Sequence, residues 1–233
     1  MIYDSELKDS LKIQIDLTEI ERLITINLGD YMKNLLLTLI LGFSALMNPH
    51  LNAEDTIVDK TTGKAFPASV SFTSEGTNYN LEATGVSTRT KFFVKVYSVA
   101  HYLQNLGDVN SKNIFNQIFS DEKAKQLTLV WVRDVDSRTI KDGYMDTFKK
   151  VFSSEQQKEL SSQIDQFLGF FNENAKINDK QVIRWIPGGI IEVEINGVKK
   201  GQVKSVDFAK AVWGIWLGAK SVVPRNQLVS RVK

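Results

Sequence analysis

The order of elements along the chain predicts an α+β fold, a large antiparallel sheet covered on one face by helices. Three observations carry this expectation. Apolar, β-branched segments cluster early, helical periodicity dominates the middle, and a hairpin followed by one last helix closes the chain. Elements grouped in this way build an antiparallel sheet with helices gathered on one side.

Ala68–Ser74 and Tyr79–Val86 read as strands joined by a turn at Glu75-Gly76-Thr77-Asn78. Gly85–Leu103 then reads as a buried strand with aromatic and β-branched residues crowding its middle around Phe92. Alternation along one continuous strand would put Thr90, Phe92, Val94 and Val96 on one face. Arg89, Lys91, Phe93, Lys95 and Tyr97 would share the other, where three cations converge with two rings. That second face is either a solvated surface with extended cationic stems or the floor of a cleft holding an anion beside an apolar body.

Leu103–Asn110 reads as loop, Ser111–Phe119 as a short helix and Leu127–Val132 as an interior strand. Asp136–Phe152 carries Ile140, Tyr144, Phe148 and Val151 at helical spacing, with Asp136 placed to cap. Ser153-Ser154-Glu155-Gln156 restarts a helix with a capping-box pattern, and Leu160, Ile164, Phe167, Leu168 and Phe171 form its core stripe. Lys180–Trp185 and Ile190–Ile195 are strands around Pro187-Gly188-Gly189. Asn196-Gly197 then gives the strongest hairpin signal and leads to Lys200–Val203. A final helix runs from about Asp207 to Leu217, with Phe208, Val212, Ile215 and Trp216 on its apolar face and Gly218 as its stop.

Composition narrows the chemistry. The 233 residues contain no cysteine and only His50 and His101, so no disulfide, thiolate or His-rich metal site is expected, and no cofactor. A formal net charge of +2 without a Lys/Arg block argues against a nucleic-acid partner. His101 has no acid or nucleophile near it in sequence and reads as structural. Trp131, Trp185, Trp213 and Trp216 read as packing residues.

The N-terminal region reads as a targeting segment. Met32-Lys33-Asn34 precedes the apolar run Leu35–Met47, then Asn48-Pro49-His50-Leu51-Asn52-Ala53, the pattern of a secretory signal peptide cleaved after Ala53. The run is shorter than the roughly 20 residues that span a bilayer, so no stable membrane span is expected after cleavage. Gly29-Asp30 can be encoded by a ribosome-binding sequence, with Tyr31 as spacer. Translation is therefore expected to start at Met32, leaving residues 1–31 unmade and residues 54–233 as the mature domain. Without its first 53 residues the chain has 25 Lys/Arg against 20 Asp/Glu. The expected location is periplasmic or secreted.

Three segments together resemble the chalcone isomerase-like family, most closely its bacterial exported branch. They are Arg89–Leu103 (RTKFFVKVYSVAHYL) after Gly85, Leu127–Asp136 (LTLVWVRDVD), and Asn196–Gly218 (NGVKKGQVKSVDFAKAVWGIWLG). The resemblance implies a large antiparallel sheet with a ligand cleft between sheet and helices. In the plant isomerases an arginine steers a phenolate during ring closure, and the resemblance places that arginine on Arg89. It places the family's substrate-positioning threonine on Tyr97 and its catalytic tyrosine near Ile140, with Tyr144 one turn further on. The ring-contacting asparagine falls near Thr147 and a second threonine near Lys200. Only the arginine is kept.

Ring closure needs an activated oxygen nucleophile and stabilisation of the developing enolate. Ile140 can donate no hydrogen bond, so chalcone isomerase activity is not expected. Non-catalytic members of the family bind fatty acids, with the arginine and a tyrosine gripping the carboxylate. Arg89 with Tyr97 fits that pairing, and a regular strand would put the two, eight residues apart, on one face. The expected ligand-binding residues are thus Arg89, Tyr97, Ile140, Tyr144 and Thr147. The expected function is a non-catalytic binder of a fatty acid or similar amphipathic anion. The alternative is an intramolecular lyase acting on a phenolic or enone-like compound.

Overall fold

A computed structural model describes residues 55–233, within a compact unit that spans 54–233. The expectations for residues 1–53, the untranslated extension and the signal peptide, lie outside the described residues. Seven strands form one antiparallel meander in chain order. They are β3 (Ser69–Ser74), β4 (Thr77–Lys91), β5 (Val94–Gln104), β6 (Lys125–Trp131), β7 (Lys180–Ile186), β8 (Ile190–Ile195) and β9 (Val198–Lys204). A short hairpin of β1 (Thr56–Val58) and β2 (Ala65–Pro67) precedes them and was not anticipated.

Among the described residues five helices occur: α1 (Ile114–Ile118), α2 (Ser137–Val151), α3 (Ser154–Glu159), α4 (Ser161–Leu168) and α5 (Val206–Leu217). The single helix expected after Ser153 is broken at Leu160 into α3 and α4, and Phe171 lies beyond it. Local chemistry fixes their starts. Asp136 accepts the Thr139 N–H at 2.8 Å and caps α2. Ser153 and Gln156 exchange both bonds of a capping box at α3. Ser205 caps α5 by accepting the Phe208 N–H. The helices cover one sheet face, where Phe148, Phe167, Phe208, Trp213 and Trp216 are fully buried against Val99, Leu127 and Val193. On the other face Ile57 and Phe66 of the β1–β2 hairpin pack on Leu81, Ala83, Ala100 and Tyr102. Helices and the C-terminal tail thus cover one side of the sheet, and a hairpin covers part of the other.

The main correction falls at the centre. Gly85–Leu103 is not one strand through Phe92 but the β4–β5 hairpin, turning at Phe92-Phe93 with φ of 49° and 66°. Sequence rules look for Asn or Gly at such a turn, as at Asn196-Gly197 (φ 50° and 80°), and two phenylalanines conceal it. A second departure is a bulge: Arg89 pairs with Tyr97 but Thr90 pairs with Lys95, leaving Val96 as the extra residue.

The C-terminal tail locks onto β4. Arg231 N–H donates to Thr84 O at 2.8 Å, and the Thr84 hydroxyl reaches Leu228 O. A Cβ on Gly85 would sit 2.1 Å from Gln227 O, so only glycine lets the tail approach there.

His101 is structural, as expected. It is fully buried, and its Nε2 accepts the Trp213 indole N–H at 3.2 Å. Because Nε2 is an acceptor, Nδ1 carries the proton and faces the Thr84 hydroxyl at 2.6 Å. Burial, reinforced by the nearby Lys125 charge, lowers its pKa from 6.5 to about 3. The unfolded chain therefore binds a proton here that the folded chain refuses. The stability from neutral His101 is present above pH 6.5 and is lost as pH falls toward 3. Urea unfolding across this window should show a slope from this group approaching about 1.4 kcal/mol per pH unit. His101→Gln, which keeps a donor and an acceptor but cannot titrate, should flatten the fall.

Candidate functional site

A cleft of about 420 Å³ opens between the β4–β5 end of the sheet, the end of β6, and helices α2 and α5. Its volume falls in the range of small-molecule sites. All five residues expected from the sequence line it: Arg89, Tyr97, Ile140, Tyr144 and Thr147. Lys200 does not; its ammonium pairs with Glu173 at 2.9 Å, away from the cleft.

Arg89 and Tyr97 share a face for a different reason from the one expected. They are direct cross-strand partners in the β4–β5 ladder. Such a pair holds its Cβ atoms within about 5.5 Å, far closer than eight residues along one strand. The bulge at Val96 breaks alternation, so Val94, Val96 and Tyr97 all line the cleft.

Arg89 is half-buried, and one arm of its guanidinium donates to Val222 O at 2.6 Å. No carboxylate lies within salt-bridge distance among the described residues, so its charge has no counter-ion there. The Tyr97 hydroxyl accepts the Trp216 indole N–H at 3.0 Å, and its own hydrogen has no acceptor among the described residues. Two donors, one charged and one neutral, thus meet at the cleft wall with bonds still to give.

The other expected residues do different work. Ile140 is an apolar wall on α2. The Tyr144 hydroxyl accepts the side-chain N–H of Gln181, and its ring stacks on Phe171 at 4.9 Å. Thr147 spends its hydroxyl hydrogen on Gly143 O at 2.8 Å, one turn back along α2. Trp131 and Trp216, read from sequence as packing residues, also line the cleft, and Trp131 meets Tyr97 edge-on at 5.4 Å. Their role was hidden because an indole in a core and an indole in a cleft wall carry the same apolar pattern. Around the mouth stand Lys91, Phe92, Arg133, Asp134 and Asp136.

Electrostatics sort the phenols. Burial raises the Tyr97 pKa to about 12, although the Arg89 charge and the Trp216 hydrogen bond pull it down. Burial also raises Tyr144 far above the usual phenol range, with Tyr97 nearby adding to the effect. Both are neutral donors at physiological pH, and neither is a base. The cleft can therefore hold an anion at Arg89–Tyr97 and an apolar body against Val96, Trp131, Ile140, Ile215 and Trp216.

A sequence profile of the chalcone isomerase-like family matches residues 58–226. The crystal structure of a fatty-acid binding protein of Arabidopsis thaliana resembles the fold with a TM-score of 0.62 at 17% identity. The match covers 75% of this chain and 96% of that one. No curated protein matches the chain in sequence.

The Arg89 charge is one of the forces holding down the Tyr97 pKa. Tyrosine ring ¹³Cζ titration should find one phenol ionising only near pH 12, and Arg89→Ala should move it higher still. A tyrosine at position 97 that titrates near 10 would mean that the phenol is solvated rather than walled in.

Proposed function

The chain belongs to the chalcone isomerase-like family, and from that premise we propose that it is an exported, non-catalytic binder of a fatty acid or similar amphipathic anion. The single observation that carries this reading is the Arg89–Tyr97 pair. A guanidinium without a carboxylate partner among the described residues and a phenol with an unspent hydrogen sit at one wall of an apolar cleft. A carboxylate headgroup answers both donors, and an acyl chain fills the rest.

The ring-closing alternative gains nothing from this geometry. By the resemblance the family's catalytic tyrosine falls near Ile140, which has no hydroxyl, and the Thr147 hydroxyl hydrogen is spent on its own helix. Neither buried phenol is a base at neutral pH. Export rests on the sequence of residues 32–53 alone. Fusing those residues to a reporter should carry it beyond the inner membrane. Activity confined to the cytoplasm would remove that part of the proposal.

A carboxylate held by guanidinium makes charge-assisted hydrogen bonds worth roughly 1.5–3 kcal/mol each. Losing one corresponds to about a 10- to 150-fold weaker complex. Calorimetric titration with a medium-chain fatty acid should show that loss for Arg89→Ala and a partial one for Arg89→Lys, whose charge survives without the planar fork. Tyr97→Phe should lose less, because it removes a neutral donor and keeps the ring. Equal affinity in Arg89→Ala and the parent would make Arg89 an ordinary surface residue. Purified protein should leave the cyclisation of a chalcone at its uncatalysed rate. A saturable acceleration abolished by Arg89→Ala would favour the lyase.

A further inference from the structure

The tip of the β4–β5 hairpin is built against the usual rules. Phe92 and Phe93 both adopt positive φ, a region that bulky side chains rarely enter. The two residues are 85% and 102% exposed, and the adjoining Val94 is 43% exposed. The same chain makes its β8–β9 turn with Asn196-Gly197, so a less strained solution was within reach. Strain and exposure together mark a segment shaped for something outside the fold. Ile177, just before β7, and Val198, at the start of β9, are also exposed, and the meander puts both at this same end of the sheet.

The charges here are lopsided. Among the described residues, Lys60, Lys91 and Arg133 have no carboxylate within salt-bridge distance, while Lys95 donates to Thr61 O. Lys64 donates to the Asn178 side chain, again not to an acid. Among the described residues four acids stand near these five cations and Lys176, and only Asp134 is held by a cation; the other three keep their charge while accepting neutral donors. Asp134 pairs with Lys176, Asp136 caps α2, and Asp179 accepts from Lys176 N and Asn196. Asp59 is buried under Thr88, Ser98 and Thr62.

We propose that the Phe92–Phe93 tip docks the protein on an anionic phospholipid bilayer, with the rings in the headgroup boundary and the surrounding cations on lipid phosphates. An aromatic wedge set among an excess of cations is the chemistry such an interface selects. A protein partner would need a pocket for two rings, and the flanking cations favour the lipid surface. Phe92 also lines the cleft mouth, so docking turns that mouth toward the bilayer. The docking stands on the tip's own chemistry. Only its consequence, exchange of the acyl ligand at the membrane, rests on the binder reading.

Vesicles of phosphatidylglycerol with phosphatidylcholine, and of phosphatidylcholine alone, test this with protein isolated from its own host. Cosedimentation should be strong on the first and weak on the second. The double variant Phe92→Asn/Phe93→Gly should lose partition at least about tenfold without a fall in thermal midpoint, since Asn-Gly suits the turn. In Phe93→Trp, whose new indole is the exposed one, brominated phosphatidylglycerol should quench fluorescence beyond the level seen in the parent. Equal partition in the double variant, or no added quenching, would overturn the proposal. So would vesicles left unbound while a crosslinker at position 93 captures a protein. Phe93 does not line the cleft, so Phe93→Gly should bind a medium-chain fatty acid in vesicle-free solution as the parent does. Failure of that titration in the parent, with vesicle docking intact, would sink the binder reading and leave the docking tip standing.

Discussion

The register between β4 and β5 is the constraint on which the cleft depends. Arg89 stands opposite Tyr97 because a two-residue turn at Phe92-Phe93 and one bulge at Val96 together set that pairing. A slip of one residue would send one of the two side chains to the opposite face. Both devices run against local preference, the first in backbone angle and the second in ladder continuity. Lys95, whose ammonium reaches Thr61 O, ties the hairpin to the β1–β2 loop from the other face. Asp59 of that loop does the same through the hydroxyls of Thr88 and Ser98. The small hairpin on the second face thus braces the ladder that presents the cleft residues.

Helices supply the opposite wall. Phe148, Phe167 and Phe208 anchor α2, α4 and α5 in one aromatic cluster, with ring centroids 5.6–6.0 Å apart. That anchoring holds Trp216 where its N–H reaches the Tyr97 hydroxyl, and it seats the loop whose Val222 carbonyl takes one arm of Arg89. The two donors are therefore positioned by α5 and its following loop, not by the sheet alone. Each has one bond to the protein that fixes its direction and capacity left for a ligand. Preorganisation of this kind lowers the ordering cost of binding.

Much of this was legible in the sequence. Asp136, the Ser153–Gln156 box and Asn196-Gly197 announce helix starts and a turn because their side chains or backbone freedom make those bonds locally. Of the stripe Leu160, Ile164, Phe167, Leu168 and Phe171, Ile164, Phe167 and Phe171 are buried, while Leu160 and Leu168 are half-buried against the same core. The centre of the chain was not legible in the same way. Phe92 and Phe93 carry strand chemistry into a turn, so local propensity pointed to one strand where tertiary context made two. The pairing of Arg89 with Tyr97 was reached from the family resemblance and a wrong geometry, and cross-strand register supplied the right one. The Thr147 hydroxyl was unreadable as a donor or a spent group, because its bond to Gly143 O depends on a rotamer. Trp216 carries no sequence mark that separates a core indole from one that orients a phenol.

Arg89 and Tyr97 are proposed to receive the carboxylate of the ligand together. Carboxyl-¹³C-labelled decanoate bound to the protein reports on this directly through the pH dependence of its carboxyl resonance. A headgroup beside an uncompensated guanidinium should stay ionised well below the usual carboxylate range. In Arg89→Lys it should stay ionised also, since the charge remains. A bound carboxyl that titrates as a solvated one, or that is protonated at neutral pH by burial in the apolar part of the cleft, would contradict the account.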